Sequence, residues 1–214
     1  MTAADFWEQR YAQRPKVWSG RVNKTLAEVA GGLVVGTALD LGCGEGGDAV
    51  WLARAGWQVT AIDISTTALQ RGREAAVATG VPAERIDWVA ADLATWHPAT
   101  TYDLVSACFL QSPVSMPRTE ILRRAAAAVA PGGSLVIISH AAPPPWAGDH
   151  DNGAGHAPFD MLGPAEEVAA LGLDSGDWDV VLAEVRERDA VGPDGEHARL
   201  KDSVVRARRA RAQS

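Results

Sequence analysis

A chain of 214 residues, 47% hydrophobic by composition, is long enough to bury one substantial core and short for two. Its 27 acidic and 20 basic residues leave a net charge of -7, which argues against nucleic acid or an anionic membrane as a partner and favours a small molecule. The two cysteines, Cys43 and Cys108, form no metal-binding or redox motif and suit a reduced, cytoplasmic setting; the N-terminal MTAADFWEQRYAQRP lacks the apolar stretch of a signal peptide, and no later segment reaches membrane-spanning length.

Phe6, Trp7, Arg10 and Tyr11 recur at helical spacing until Pro15, and residues 22–33 give a second helical pattern closed by Gly31 and Gly32. A short apolar run at Thr37–Leu41, a helix over 47–55 and a β-branched run over 58–64 then read as strand, helix, strand. Ser65 is placed to cap a helix reaching about Thr79, and residues 86–91 read as a third strand before Asp92. Tyr102–Cys108 reads as a fourth strand, 117–130 as an alanine-rich helix stopped by Pro131-Gly132-Gly133, and 134–139 as a fifth, almost wholly apolar strand. Apolar strands alternating with helices predict a parallel sheet covered on both faces.

The regularity then breaks. Residues 141–163 are rich in Pro, Gly, Asp and His and predict a long loop; a short helix follows at Pro164–Leu171. Two strands, over 178–188 and 198–207, are joined by Gly192-Pro193-Asp194-Gly195 into a hairpin, and the tail RARRARAQS reads as a frayed, solvated strand end. The expected fold is α/β: a single-domain, doubly wound, mostly parallel seven-stranded sheet with helices on both faces and an antiparallel C-terminal hairpin strand.

Ligands of such sheets bind at the C-terminal strand ends, where strand order reverses, and the first strand-to-helix turn is part of that site. Here that turn is DLGCGEG, from Asp40 to Gly46, and the second strand ends in Asp63. Glycines at a helix start attract pyrophosphate, but Asp40, Glu45 and Asp48 put carboxylates around this turn, and Gly42, Gly44 and Gly46 alternate where the dinucleotide pattern leaves two residues between its second and third glycines. A ligand with cationic groups fits better than a phosphate.

With DLGCGEG, Asp63, Asp92 at the end of the third strand and the PGG turn before the fifth, the chain resembles the class I, Rossmann-like S-adenosylmethionine-dependent methyltransferases. The N-terminal FWEQRY and the terminal RLKDSVVRARR bring it nearest to the tellurite-resistance and thiopurine types, which act on small molecules. The resemblance implies a single methyltransferase domain: a helical lid over 1–35, a cofactor-binding core over 36–140, the loop 141–163, a helix and hairpin over 164–209 and a tail over 210–214. It implies S-adenosylmethionine as cofactor, S-adenosylhomocysteine as product and methyl transfer to a small-molecule acceptor by in-line displacement. Gly42, Gly44 and Gly46 with Asp40 would receive the methionine part, Asp63 the ribose hydroxyls, Ile64 an adenine face, and Asp92 with Leu93 the adenine amino side. The backbone at Cys108 and Phe109 would line the methionine moiety, while Trp7, Tyr11 and Trp18 would close over the cofactor.

Displacement at a sulfonium methyl needs alignment and dryness more than a catalytic triad. A base is required only for an acceptor protonated at pH 7, and His140, ending the fifth strand, is the candidate. Asp149, His150, Asp151, His156 and Asp160 have metal-ligand chemistry but sit in a stretch whose composition solvation explains, so no metal is expected. Two other functions compete: an NAD(P)-dependent oxidoreductase, against which the glycine spacing and acidic loop speak, and a non-catalytic S-adenosylmethionine-binding module.

Overall fold

The structure, a computed structural model, describes residues 1–143, 145, 161–191 and 195–211. Helices α1 (Ala3–Ala12) and α2 (Lys24–Ala30) precede the sheet, followed by β1 (Thr37–Leu41), α3 (Gly47–Arg54), β2 (Gln58–Asp63), α4 (Thr66–Ala78) and β3 (Ile86–Ala90). Then come β4 (Tyr102–Cys108), α5 (Arg118–Ala127), β5 (Val129–His140), α6 (Pro164–Leu171), β6 (Trp178–Val191) and β7 (His197–Arg209). Among the described residues no helix is long and apolar enough to cross a membrane.

The seven strands run in the order β3-β2-β1-β4-β5-β7-β6. All neighbouring pairs are parallel except those of β7, which runs antiparallel to both β5 and β6, so β7 alone opposes the rest. The chain reverses its winding between β1 and β4, and the strand ends there define the crevice.

Strand alternation sorts the core into two layers. Leu39, Leu41, Val105, Leu135 and Ile137 face α5 and α6 with Ile121, Leu122 and Leu171. Ala38, Leu104, Val136 and Ile138 face α2, α3 and α4 with Leu26, Leu52 and Trp57, the last only 1% exposed. Burying a leucine-sized side chain contributes about 1.5–3 kcal/mol, so both layers anchor the sheet.

Caps fall where side-chain chemistry supplies them. Thr2 and Asp5 form a capping box on α1, and the Ala68 amide donates to Ser65 Oγ at 3.1 Å to open α4. The fold class and the order of elements agree with expectation. The expected break at Pro131-Gly132-Gly133 lies instead inside β5, which begins at Val129 opposite Tyr102; a register shift follows, and Gly132 takes up a left-handed φ of 83°. The last two strands also run longer than their apolar cores, pairing as far as Val191 with His197. The turn residues 192–194 and the His/Asp-rich segment 146–160 lie outside the described residues.

Candidate active site

The crevice begins where β1 delivers Asp40 into a nearly sealed position, 2% exposed. Ser106 Oγ, one strand over, donates to Asp40 Oδ1 at 3.1 Å, while Oδ2 has no hydrogen-bond partner among the described residues. Burial first, and the facing charge of Asp48 second, push the Asp40 carboxyl well above the ordinary range. The chain then turns through Gly42, Gly44 and Gly46, all with left-handed φ. At Gly44 a β-carbon would stand 3.0 Å from the Tyr11 hydroxyl and 3.1 Å from Trp18 Nε1, so the loop backbone and the N-terminal aromatics meet there with no room for a side chain. Gly46, with φ at 78°, opens α3 and lies under the Trp88 ring.

Asp63, at the end of β2, ties the loop to the next helix: Gly44 N–H donates to its Oδ2 at 2.8 Å and Ser65 N–H to its Oδ1 at 2.9 Å. Each oxygen keeps a lone pair for a further donor. Burial raises this carboxyl too, against the lowering effect of the amides.

The other two loop carboxylates are engaged by the N-terminal segment. Glu45 accepts from Trp18 N–H at 2.9 Å and Val17 N–H at 3.1 Å and pairs with Arg71 at 2.8 Å. Arg71 reaches on to the carbonyls of Tyr11 and Arg14. Asp48 accepts from Asn23 N–H at 2.6 Å. Glu8 of α1 accepts from Ser65 Oγ at 2.7 Å and from the Thr67 hydroxyl and amide at the start of α4; burial opposes its charge, but these bonds hold its carboxyl below the usual value. Tyr11, 3% exposed, accepts from Trp18 Nε1 at 2.8 Å, and Trp7 Nε1 donates to Ser112 Oγ beyond β4 at 3.2 Å. Trp7, Tyr11 and Trp18 thus bridge from the glycine loop to the end of β4.

Ile64 follows Asp63 into the crevice rim; exposed Asp92 accepts from Ala94 N–H at 2.8 Å, and buried Leu93 joins the core layer under α5. Cys108 ends β4, and burial, with Asp48 and Asp40 nearby, pushes its thiol well up, so it serves as a small packing group and not as a nucleophile. Phe109 leaves the strand at φ 54°, a costly conformation for a non-glycine residue, and its amide donates to the Ile138 carbonyl at 2.6 Å.

That strained turn lays the Phe109 ring against His140, centroids 4.5 Å apart. Gln111 Oε1 accepts from the His140 amide at 2.9 Å, and His140 Nδ1 lies 3.5 Å from Asp202 Oδ1 on β7. Arg188 of β6 donates through Nε to Asp202 Oδ2 at 2.6 Å, and its guanidinium stands 5.4 Å over the Phe109 ring. Below, Arg118 donates to the Leu110 carbonyl, Ser139 Oγ and both oxygens of Glu167, all sealed from solvent.

Structure therefore gathers Asp40, Gly42, Gly44, Asp63, Cys108, Phe109 and the aromatics Trp7, Tyr11 and Trp18 along one edge, with His140 at its far end. Sequence reading missed Glu8, Arg71, Gln111, Arg188 and Asp202. Of these only Asp202 left a trace, an acid inside the apolar run of RLKDSVV.

Residues 38–133 match the family described as a methyltransferase domain. Among curated proteins, a probable thiol methyltransferase of Arabidopsis thaliana is 32% identical over 102 residues, 46% of this chain and 45% of that protein. The chain spans less than half the length of the curated relatives it matches. Among solved structures, one reported with the conversion of a disulfide bond into a thioacetal group during echinomycin biosynthesis superposes with a TM-score of 0.69 at 22% identity, covering 100% of this chain and 94% of the other. TehB from Haemophilus influenzae gives a TM-score of 0.69 at 16% identity, covering 95% and 67%. Residues 38–133 thus resemble a methyltransferase domain, and the whole chain has the mostly parallel seven-stranded α/β fold of these solved structures.

Proposed function

We propose that the protein transfers a methyl group from S-adenosylmethionine to a small-molecule acceptor. The carrying observation is Asp40 Oδ2, a buried carboxylate oxygen with no partner, at the strand switch beside left-handed Gly42 and Gly44. An ammonium-bearing ligand supplies the missing donor and the missing charge. Asp63, braced by two amides with lone pairs to spare, suits a pair of ribose hydroxyls, and on this reading Ile64, Asp92 and Leu93 would meet adenine. The guanidinium at the loop, Arg71, is committed to Glu45 and two carbonyls and is not free for a pyrophosphate, and the buried Asp40 carboxylate at the turn disfavours the nicotinamide reading.

The cofactor supplies an activated methyl carbon when bound. The chain's own residues hold it, with Asp40, the glycine loop and Asp63, and exclude water, with Tyr11 and Trp18 over Gly44. The printed name of the thiol methyltransferase relative supports a small-molecule acceptor. An excess of acid over base and the reduced-cysteine reading support a cytoplasmic protein that binds neither nucleic acid nor membrane.

Calorimetry with S-adenosylhomocysteine and with NADH tests the cofactor; preference for NADH overturns the reading. Transfer of labelled methyl to thiols, phenols, amines and halide or chalcogen anions tests the reaction, and tight cofactor binding with no transfer to any of them favours a non-catalytic module.

A further inference from the structure

We infer that the acceptor carries a proton on its reacting atom, as a thiol or hydroxyl does, and that His140 removes it while Asp202 acts as the residue that positions His140. This rests on the methyltransferase reading and names the acceptor class for the same site.

Asp202 is 2% exposed in the middle of β7, where burying a carboxylate is costly unless every lone pair is used. Arg188 satisfies Oδ2; Oδ1 has no hydrogen-bond partner, and the group facing it is His140 Nδ1 at 3.5 Å. A proton on Nδ1 meets that unsatisfied oxygen after a small rotation of the ring. The same choice leaves Nε2 as a bare acceptor, and Nε2 has no hydrogen-bond partner among the described residues. Among the described residues a second buried carboxylate oxygen of the crevice lacks a partner, Asp40 Oδ2, but no imidazole faces it.

The rest of the surroundings fix the ring. Gln111 Oε1 accepts from the His140 amide, Ala141 N–H donates to the Lys201 carbonyl at 2.9 Å, and Phe109, held at positive φ, lies against the imidazole face. Among the described residues, the charged groups around it are Asp202 of β7 and, through it, Arg188 of β6. Arg186, opposite Asp202 in register, is turned to Glu28 and Glu184. From β4 and its turn come only the uncharged Cys108, Phe109 and Gln111.

In the step, the electron pair of the acceptor's sulfur or oxygen forms the bond to the methyl carbon, and the pair of the broken carbon–sulfur bond stays with the donor sulfur. The acceptor's proton goes to Nε2 and from there to water.

Two measurements test this. Nitrogen-15 NMR of histidine-labelled protein, free of ligand, should place the proton of neutral His140 on Nδ1, and Asp202→Asn should shift that balance towards Nε2; a wild-type proton on Nε2 overturns the dyad whatever the activity. Turnover is then compared at pH 7 on a phenol or alkanethiol, still protonated there, and on thiocyanate, which has no proton to give. On the protic acceptor His140→Asn should lower kcat by about 100-fold or more, and Asp202→Asn by about 10- to 100-fold, the range for a partner that orients a working imidazole. KM should move little. On thiocyanate both losses should be at least tenfold smaller, and raising the pH past the acceptor's own ionisation should close the gap on the protic one. Equal losses on both acceptors overturn the base assignment. A wild type that binds cofactor but methylates nothing overturns the acceptor class together with the broader reading, while the NMR result still judges the dyad.

Discussion

The two ends of the crevice are built differently. At the β1–β2 end, Asp40, the glycine loop, Asp63 and Ser65 come from one continuous stretch of chain, where Asp63 and Ser65 hold their neighbours through backbone amides and Asp40 alone reaches to another strand, at Ser106. At the β5–β7 end, Phe109, Gln111, His140, Arg188 and Asp202 come from four separate segments and meet through side chains alone, apart from the anchored backbone of His140. The first end suits a ligand shared by many proteins, since a continuous loop can be carried over whole. The second suits a variable acceptor, since each contact can change independently.

The largest expected effect concerns what supports the second end. Arg118 and Glu167 form a sealed pair, 6% and 1% exposed, and Arg118 also holds Leu110 and Ser139, the neighbours of Phe109 and His140. Arg118→Ala leaves Glu167 charged and buried and should cost about 3–5 kcal/mol of unfolding free energy. Replacing both residues with apolar ones of similar size should restore most of it. Denaturant titration of the single and double variants decides; a single variant within 1 kcal/mol of wild type, on the scale of exposed pairs, would remove Arg118 as the support of this end.

Next in size is Asp63→Ala at the first end. It removes the group proposed for the ribose and also frees Gly44 and Ser65, and should weaken S-adenosylhomocysteine by about 1.5–3 kcal/mol, the range for hydrogen bonds to a charged group. Calorimetry reads this directly. A folded variant with unchanged affinity removes the ribose role.

How far each end could be read from sequence follows from the same difference. Asp40, Gly42, Gly44 and Asp63 are legible because strand ends, a glycine turn and an N-cap leave local signals, and the strand order that makes them adjacent follows from the alternation of elements. Asp202 and Arg188 meet His140 only because β7 inserts antiparallel between β5 and β6, a register that no local pattern encodes. The acidic loop taught half a lesson. Three carboxylates suggested a cationic ligand, yet Glu45 and Asp48 serve the N-terminal segment, and Asp40 alone keeps an unsatisfied oxygen. Glu8 and Arg71 were invisible because long-range pairs between a lid helix and α4 depend on how α1 docks.

Asp40→Asn separates ligand from fold. Asp40 has its carboxyl raised by burial and by Asp48, so its ionisation opposes folding. That opposition is absent below the unfolded value of 3.8, grows as pH rises, and is complete above the raised folded value. The near-isosteric amide should therefore raise Tm at pH 7, with the gain fading in acid, while weakening S-adenosylhomocysteine by about 1–2 kcal/mol through loss of charge. Lower Tm together with lower affinity would make Asp40 a structural residue.

The smallest expected effect is one of order along the pH axis. Asp40 takes up its proton above the ordinary 3.8, whereas Glu8, held low by Thr67 and Ser65 despite burial, keeps its charge below the ordinary 4.5. A raised carboxyl loses its pull on a cationic ligand early as pH falls; a lowered one gives up its contribution to docking only as pH drops through its folded value. Ligand affinity should thus decline while α1 is still docked on α4 through Glu8. Affinity can be followed by calorimetry from pH 7 downward, and docking by the environment of Trp7, with Trp7→Phe as the blank. Simultaneous loss of both would mean that the ligand holds the lid, not Glu8. Loss of docking first would place the weaker carboxylate contact at α1 and reverse the assignment of the two acids.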